Sequence, residues 1–181
     1  MDRIVTNLLD SARLEQGLLH LKIDWCDAED LVGASLQQLG PILGKRPIDI
    51  DLPPDLPLIK GDFVLLEQVL TNLIENAHKY SPPMLPIAIS AAVEGQNLVL
   101  SVADRGPGIN EAEVPKLFEK FYRSASTSHV FGTGLGLSIV KGIVEAHGGS
   151  ISARNNAGEG AVFSVILPIG EQPGKAGQKD V

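Results

Sequence analysis

The sequence predicts an α+β fold, a two-layer sandwich in which helices cover one face of a mixed β-sheet. Three observations lead to this prediction. Segments with apolar residues at helical spacing are mixed with short alternating segments, and two pairs of alternating segments lie close enough to form hairpins. This mixture differs from the regular strand–helix alternation of a parallel α/β fold. The chain has 181 residues, 44% of them hydrophobic, which is enough for one such core.

The composition excludes several classes of protein. Acidic residues outnumber basic ones by 22 to 15, which gives a net charge of −7 and disfavours nucleic-acid binding. The single cysteine, Cys26, excludes an intrachain disulfide and a cysteine-cluster zinc site. No segment approaches the roughly 18 consecutive apolar residues of a membrane span, and the chain does not open like a signal peptide. We therefore expect a cytoplasmic, globular piece that contacts neither nucleic acid nor membrane.

The chain divides into three regions. Residues 1–17 carry apolar side chains at helical spacing that no neighbouring segment covers, so this helix is expected to pack on a partner; packing onto its own domain is the alternative. Residues 18–169 form the globular domain. Residues 170–181 are rich in Gly, Lys and Gln and are expected to form a disordered tail.

Local sequence signals indicate where the helices and strands of the globular domain begin and end. Asp27 and Asp62 are predicted to cap helices, and Pro82-Pro83 forbids continuation of the second one. The predicted helices are 27–44, 62–80, 111–118 and 135–147. Alternating apolar residues predict strands at 18–25, 48–52, 58–60, 87–93, 98–102, 150–155 and 161–167. The small, polar residues 124–131 predict a mobile loop.

The helix at 62–80 carries a polar stripe beside its apolar face. At about 100° per residue, Asn72, Asn76 and Lys79 fall on one side, although asparagine is a poor helix former. One interpretation is a solvated face with a lysine that complements the helix C-terminus. The other is that the amide oxygens face a hard cation and the ammonium faces phosphate. His78 points away from this stripe and is expected to be exposed.

Two glycine-rich turns follow. Asp104 follows a predicted strand and precedes Gly106-Pro107-Gly108. This order would place a carboxylate beside glycine backbone that a planar ligand can approach closely. The alternative is an ordinary turn that Asp104 caps. The segment Gly132–Gly136 opens a helix whose N–H groups can point at an anion. It is not a Rossmann fingerprint, because Leu137 stands at the last glycine position, and no P-loop motif occurs in the chain.

The order of these features resembles one known family. An Asn-x-x-x-Asn helix, Asp-x-Gly-x-Gly after a strand, a loop, and GTGLG at a helix start resemble the N, G1, F and G2 boxes of the GHKL (Bergerat-fold) ATP-binding superfamily. Within it, the chain most resembles the catalytic ATP-binding domain (HATPase_c) of bacterial sensor histidine kinases. The matching segments are NLIENAHKYS (72–81), DRGPGI (104–109), FEKFYR (118–123) and GTGLGLSIVKGIVEAHGGSI (132–151). The segment LKIDWCDAEDLVGASL (21–36) further resembles KdpD-type kinases, which are linked to potassium and turgor sensing.

The resemblance implies a role for each matching residue. Asn76 would bind the Mg²⁺ that bridges the ATP phosphates, and Asn72 would lie beside it. Lys79 would contact phosphate, Arg123 would reach the γ-phosphate, and Asp104 would accept a hydrogen bond from the adenine amino group. The catalytic residues would be Asn72, Lys79 and Arg123. The remaining implied nucleotide contacts are Tyr80, Gly106, Gly108, Ile109, Phe121, Gly132, Thr133, Gly134, Leu135 and Gly136.

The resemblance also implies partners. In the family, the phosphorylated histidine lies on a dimerisation and phosphotransfer hairpin, and LLDSARLEQG (8–17) resembles the end of its second helix. No histidine of this chain has the H-E-L-R-T-P-like context of that acceptor. We therefore expect the acceptor to lie upstream of Met1 and this chain not to autophosphorylate alone. The expected partners are the hairpin, a second copy in a full-length homodimer and a cognate response regulator; a membrane anchor of the full-length protein stays open.

Other functions stay open as well. The chain could be another GHKL protein, either an anti-sigma serine kinase or a clamp ATPase. Clamp ATPases carry a glutamate base where Asn72 stands here, and an amide cannot take a proton. A non-catalytic nucleotide-binding regulator is the third interpretation.

The sequence departs from the family pattern at two positions: Arg105 stands where an asparagine is common, and Ala161 stands where a threonine is common. These departures bear on the affinity for ATP rather than on the fold.

Overall fold

The computed structural model describes residues 20–124 and 132–172, together with residue 12. Most of the predicted helix at 1–17, of the loop at 124–131 and of the tail at 170–181 lies outside the described residues. The helices are α1 (Ala28–Leu43), α2 (Phe63–Tyr80) and α3 (Gly136–Ala146), with a short 3-10 helix at Glu111–Lys116. The strands are β1 (Asp24–Cys26), β2 (Ile48–Asp51), β3 (Ile59–Gly61), β4 (Ile87–Glu94), β5 (Asn97–Ala103), β6 (Ser150–Asn155) and β7 (Ala161–Pro168).

A five-stranded mixed sheet forms one layer of the fold, in the order β2-β4-β5-β7-β6. Strand β2 pairs parallel with β4, and all other neighbours in this sheet are antiparallel. The hairpin predicted at 87–93 and 98–102 is β4–β5, and the antiparallel pair β6–β7 is a second hairpin. The predicted mixed sheet is therefore confirmed.

The structure differs from the prediction at the first strand. Strands β1 and β3 form a separate two-stranded antiparallel sheet instead of joining the main one. The strand predicted at 18–25 is limited to Asp24–Cys26 in the described part of the chain, because its partner β3 offers only three residues for pairing. The Lys60 ammonium lies 5.0 Å from the centre of the Trp25 ring, so this small sheet is also held by a cation–π contact.

Helix α2 begins and ends at the predicted positions because of local chemistry. Asp62 precedes the first turn, and its Oδ1 accepts a hydrogen bond from the N–H of Leu65 at 3.3 Å. The helix ends at Tyr80, two residues before Pro82-Pro83, which cannot continue it. Asp27 caps α1 in the same way, as predicted. Capping of this kind contributes about 1 kcal/mol per helix.

The helices pack on one face of the sheet. The buried side chains of β4 alternate along the strand, and Ile87 and Ile89 contact the core that includes Leu70, Leu73 and Ile74 of α2. Complete burial of a side chain of this size contributes about 1.5–3 kcal/mol. The predicted two-layer architecture is thus present. Within the described ranges, no helix combines the length and the apolar character that crossing a membrane requires.

A buried histidine connects α3 to the start of α2. His147 is only 8% exposed, and its Nε2 accepts a hydrogen bond from the backbone N–H of Asp62 at 2.9 Å. Its Nδ1 lies 2.7 Å from the carbonyl oxygen of Ile143. The neutral tautomer with the proton on Nδ1 satisfies both contacts, since Nδ1 then donates and Nε2 accepts. This side chain therefore serves the fold and is not a free nucleophile.

Candidate functional site

A cleft opens between the C-terminal half of α2 and the chain that follows β5. It encloses about 710 Å³ of empty space, part of which is open solvent. The sequence-predicted residues that line it are Asn76, Tyr80, Asp104, Gly108, Ile109 and Arg123. The cleft thus brings together parts of three motifs that are distant in the sequence.

Asp104 is the most buried polar group of the cleft, with 5% of the residue exposed. Its Oδ1 accepts hydrogen bonds from the N–H of Gly106 at 2.7 Å and of Ala161 at 3.2 Å. No residue in the described ranges donates to Oδ2. The carboxylate is therefore anchored through one oxygen and offers the other as an acceptor toward the cleft.

Burial also perturbs the acid–base behaviour of this group. Desolvation raises the pKa of Asp104 above its ordinary value of 3.8, because removal from water disfavours the charged form. The two N–H donors and the positive charge of Arg46 act in the opposite direction without cancelling the effect. A carboxyl that is perturbed mainly by burial and lies in a cleft is a typical functional group.

Two glycines allow three chain segments to meet at Asp104. A Cβ on Gly106 would lie 2.4 Å from the carbonyl oxygen of Tyr80, and one on Gly160 would lie 2.0 Å from that of Asp104. Side chains cannot come so close to backbone, and Gly160 also has a φ of +90°, so only glycine fits. Gly106 was predicted from the sequence, whereas Gly160 was missed. Its only signal was the Gly-Glu-Gly run before the last strand.

Asn155, at the end of β6, is a second residue that sequence reasoning missed. Its Oδ1 accepts from the N–H of Ile109 at 2.7 Å, and its Nδ2 donates to the carbonyl oxygen of Ile109 at 2.9 Å. A Cβ on Gly108, which has a φ of +77°, would come within 2.8 Å of the same Oδ1. The predicted residues Gly108 and Ile109 therefore form a fixed rim of the cleft, tied to β6.

The polar stripe of α2 divides among three environments. Asn76 lines the cleft. Asn72 is 5% exposed, and a Cβ on Gly136 would lie 3.6 Å from its Oδ1, so Asn72 adjoins the start of α3. Lys79 lines a neighbouring depression instead, and its ammonium lies 3.7 Å from the Glu75 carboxylate. The solvated-face interpretation is therefore wrong for Asn72.

The F-box and G2-box segments meet through their backbones. The N–H of Phe121 donates to the carbonyl oxygen of Gly134 at 3.0 Å, and a Cβ on Gly134 would lie 2.7 Å from the carbonyl carbon of Phe121. The Phe121 residue is 64% exposed and does not line the cleft, whereas Arg123 does. The contact thus joins the two segments without bringing the aromatic ring to the site.

The start of α3 presents backbone N–H groups. Leu135 precedes the helix, and among the residues that the structure describes no side chain caps it; the Thr133 hydroxyl accepts from the N–H of Leu135 at 3.4 Å. The first N–H groups of a helix have no intrahelical partner, and they attract anions together with the helix dipole. The predicted segment Gly132–Gly136 does not line the cleft itself, but its end lies beside Asn72.

The cleft wall also contains apolar side chains that the sequence did not single out, because they look like ordinary core residues. They are Leu117, Tyr122, Leu137 and Phe163. An apolar wall beside the Asp104 carboxylate suits a planar ring that carries a hydrogen-bond donor. Among the described residues, no group of three or more His, Cys, Asp or Glu side chains could hold a metal ion. A cation near Asn76 would therefore need oxygens from the ligand as well.

Known proteins are similar to this chain in sequence and in fold. Residues 61–171 match the family model described as histidine kinase-, DNA gyrase B- and HSP90-like ATPase. The chain is 48% identical over 166 residues to the sensor protein KdpD of Escherichia coli (strain K12), a match that covers 92% of this chain and 18% of KdpD. The chain thus spans less than a fifth of that relative's length.

Two solved structures are similar as well. The full-length ShkA structure in complex with AMPPNP superimposes with a TM-score of 0.79 at 30% identity, over 92% of this chain and 35% of ShkA. The Acinetobacter baumannii histidine kinase AdeS gives a TM-score of 0.76 at 29% identity, over 93% of this chain and 78% of AdeS. The chain therefore belongs to the family of histidine kinase-, DNA gyrase B- and HSP90-like ATPases, and within that family it is a KdpD-like ATP-binding domain of the sensor histidine kinase type.

Proposed function

We propose that residues 18–169 form the catalytic domain of a two-component sensor histidine kinase, which transfers the γ-phosphate of ATP to a histidine on a separate phosphotransfer hairpin. The observation that carries this proposal is the half-satisfied carboxylate of Asp104. Its Oδ2 can accept a hydrogen bond from the amino group of adenine. Guanine presents a carbonyl oxygen at the same ring position, and two acceptors repel each other. The cleft therefore favours ATP over GTP.

The residues present also fit a magnesium-bound triphosphate. Asn76 provides an amide oxygen in the cleft, and the uncapped start of α3 lies beside Asn72. When bound, Mg²⁺ neutralises charge on the phosphates. In this proposal Asn76 holds the ion, the N–H groups of α3 bind phosphate, and Arg123 compensates the charge of the transferred group. Lys79 takes part only after its ammonium leaves Glu75.

The chemistry requires no nucleophile from this chain. Phosphoryl transfer depends mainly on positioning and on charge stabilisation, which backbone donors, Arg123 and a bound cation can supply. Asn72 cannot act as a general base, which disfavours the hydrolytic route of clamp ATPases. The partners of the proposed kinase are the phosphotransfer hairpin, a second copy of the protein and a response regulator. The resemblance to KdpD-type kinases favours potassium or osmotic sensing by the complete, cytoplasmically acting protein.

The proposal is tested by adding γ-labelled ATP to this chain together with the hairpin of the same kinase. We expect acid-labile label on the hairpin histidine and none on this chain alone. Asn76→Ala should abolish the magnesium dependence of ATP binding. Asn97→Ala, at the far end of β5, is the matched control and should bind like the parent. Acid-stable label on serine, or an absence of ATP binding at millimolar concentration, would contradict the proposal.

A further inference from the structure

Arg46 is a buried cation that the roles proposed above do not use. It lies between α1 and β2 and is 8% exposed. Its Nη1 donates to the carbonyl oxygens of His78 at 3.2 Å and of Ser81 at 3.4 Å, and its Nη2 donates to that of Pro82 at 2.9 Å and to the Ser81 hydroxyl. Its Nε has no partner within the described part of the chain. A cation this buried is costly unless it binds something specific, and here it binds one end of α2.

The contacts of Arg46 complete the C-terminal turn of α2. The last carbonyl groups of a helix lack intrahelical donors, and a cation there also complements the helix dipole. The Ser81 hydroxyl, which Arg46 contacts, in turn donates to the carbonyl oxygen of Ala77 at 2.8 Å. Arg46 and Ser81 together therefore fix the turn that ends at Tyr80.

His78 belongs to the same cluster, and the expectation that it is exposed is wrong. Its Nδ1 lies 3.3 Å from Nη1 of Arg46. Burial and, second, the positive charge of Arg46 lower the pKa of His78. The neutral imidazole can then accept a hydrogen bond from the guanidinium, so the histidine adds another contact to Arg46.

The turn that Arg46 fixes is in contact with the purine end of the cleft. The carbonyl oxygen of Tyr80 packs so closely on Gly106 that no side chain fits between them. The N–H of Gly106 holds Oδ1 of Asp104 at 2.7 Å. A shift of the last turn of α2 would therefore move Gly106 and, through it, the carboxylate. The charge of Arg46 also reaches Asp104 directly and favours its ionised form.

We infer that Arg46 is a positioning residue for adenine recognition: it fixes the end of α2 against Gly106, and this contact keeps Oδ2 of Asp104 directed at the ligand. The inference rests on the proposed function, since it concerns the same cleft. Arg46 does not line the cleft and takes no part in the transfer itself. Its effect should therefore appear at the purine end and not at the phosphate end.

Three variants test this inference. Arg46→Lys keeps the charge but cannot contact several oxygens through a planar fork, and Arg46→Met removes the charge as well. Lys45→Met is the matched control, because Lys45 is exposed and its replacement removes one positive charge at the adjacent position. For each variant we would measure the Kd of Mg-ATP at several pH values, the competition by magnesium tripolyphosphate, and the amide resonance of Gly106 in nitrogen-15 spectra.

For Arg46→Lys we expect an ATP affinity about tenfold weaker, because one charge-assisted contact is lost. The Gly106 resonance should also be displaced. Competition by tripolyphosphate should stay as in the parent. Arg46→Met should in addition shift the acidic midpoint of ATP binding to higher pH, because Asp104 loses a neighbouring cation. Lys45→Met should match the parent in every measurement.

Parent-like ATP affinity and an unmoved Gly106 resonance in Arg46→Lys would overturn the inference. A parallel loss of ATP and tripolyphosphate binding that follows a loss of thermal stability would also overturn it, because the role would then be only structural. If Arg46→Met does not fold, Arg46→Lys decides the question. If the parent itself binds no ATP, the proposed function fails, and the Gly106 resonance alone decides whether Arg46 fixes the turn.

Discussion

Replacement of Asp104 by asparagine changes a single hydrogen-bonding group in the cleft. Asparagine has nearly the same shape, and its Oδ1 can still accept from the N–H groups of Gly106 and Ala161. An NH₂ group then stands where Oδ2 was, so two donors face each other when adenine binds. A hydrogen bond to a charged group contributes about 1.5–3 kcal/mol, and each 1.4 kcal/mol corresponds to about a tenfold change. We therefore expect Asp104→Asn to weaken ATP binding about 10- to 150-fold.

The assay is isothermal titration of the parent and the variant with Mg-ATP and Mg-GTP. The new donor suits the guanine carbonyl, so the preference for ATP over GTP should shrink or invert. Thermal stability should not fall, because burial already disfavours the charge that the substitution removes. Asp49→Asn, on the exposed strand β2, removes the same charge elsewhere and should bind like the parent. An unchanged ATP affinity with an unchanged ATP-to-GTP preference would show that Oδ2 of Asp104 does not bind the base.

Three further predictions follow from the structure. Because the pKa of Asp104 is raised, ATP affinity should fall on acidification with a midpoint above 3.8. The folded state binds this proton more tightly than the unfolded chain, so acidification through this pKa should not lower the melting temperature through this group. A midpoint of ATP binding at or below 3.8 would contradict the prediction. Gly160→Ala should lose more ATP affinity and stability than Gly158→Ala, which shares the positive φ but has open space around it; equal losses would exclude the clash as the cause. In urea unfolding, His147→Ala should lower the free energy of unfolding by about 1–3 kcal/mol, because it leaves the buried N–H of Asp62 unpaired. His20 is exposed, so His20→Ala should leave the free energy of unfolding unchanged. Equal values for the two variants would exclude a stabilising role of His147.

Local signals were sufficient to predict much of the fold and part of the site. Helix α2 could be bounded because Asp62 and Pro82-Pro83 act on their own sequence neighbours. Asp104 and Gly106 could be found for a similar reason, since a strand end followed by glycines is visible within a few residues. The two hairpins were predictable because short turns connect strands of clear alternation.

The remaining features depend on contacts between distant segments. Gly160 cannot carry a side chain because the carbonyl oxygen of Asp104 lies 2.0 Å from the position of its missing Cβ, and Asn155 matters because Ile109 lies against it. Arg46 looks like a surface residue in sequence, and its partners at the end of α2 are mostly carbonyl oxygens that any residue would offer. The small sheet of β1 and β3 was missed for the same reason, since pairing that far along the chain leaves no local pattern.

The proposed function depends on recognition of the purine by the Asp104 carboxylate. The most direct measurement is a crystal structure of this chain with magnesium and a non-hydrolysable ATP analogue. We expect the adenine amino nitrogen to lie at about 2.7–3.2 Å from Oδ2 of Asp104, with the phosphates toward the start of α3. A nucleotide bound outside this cleft, or bound within it with no contact to Asp104, would exclude Asp104 as the residue that recognises the purine.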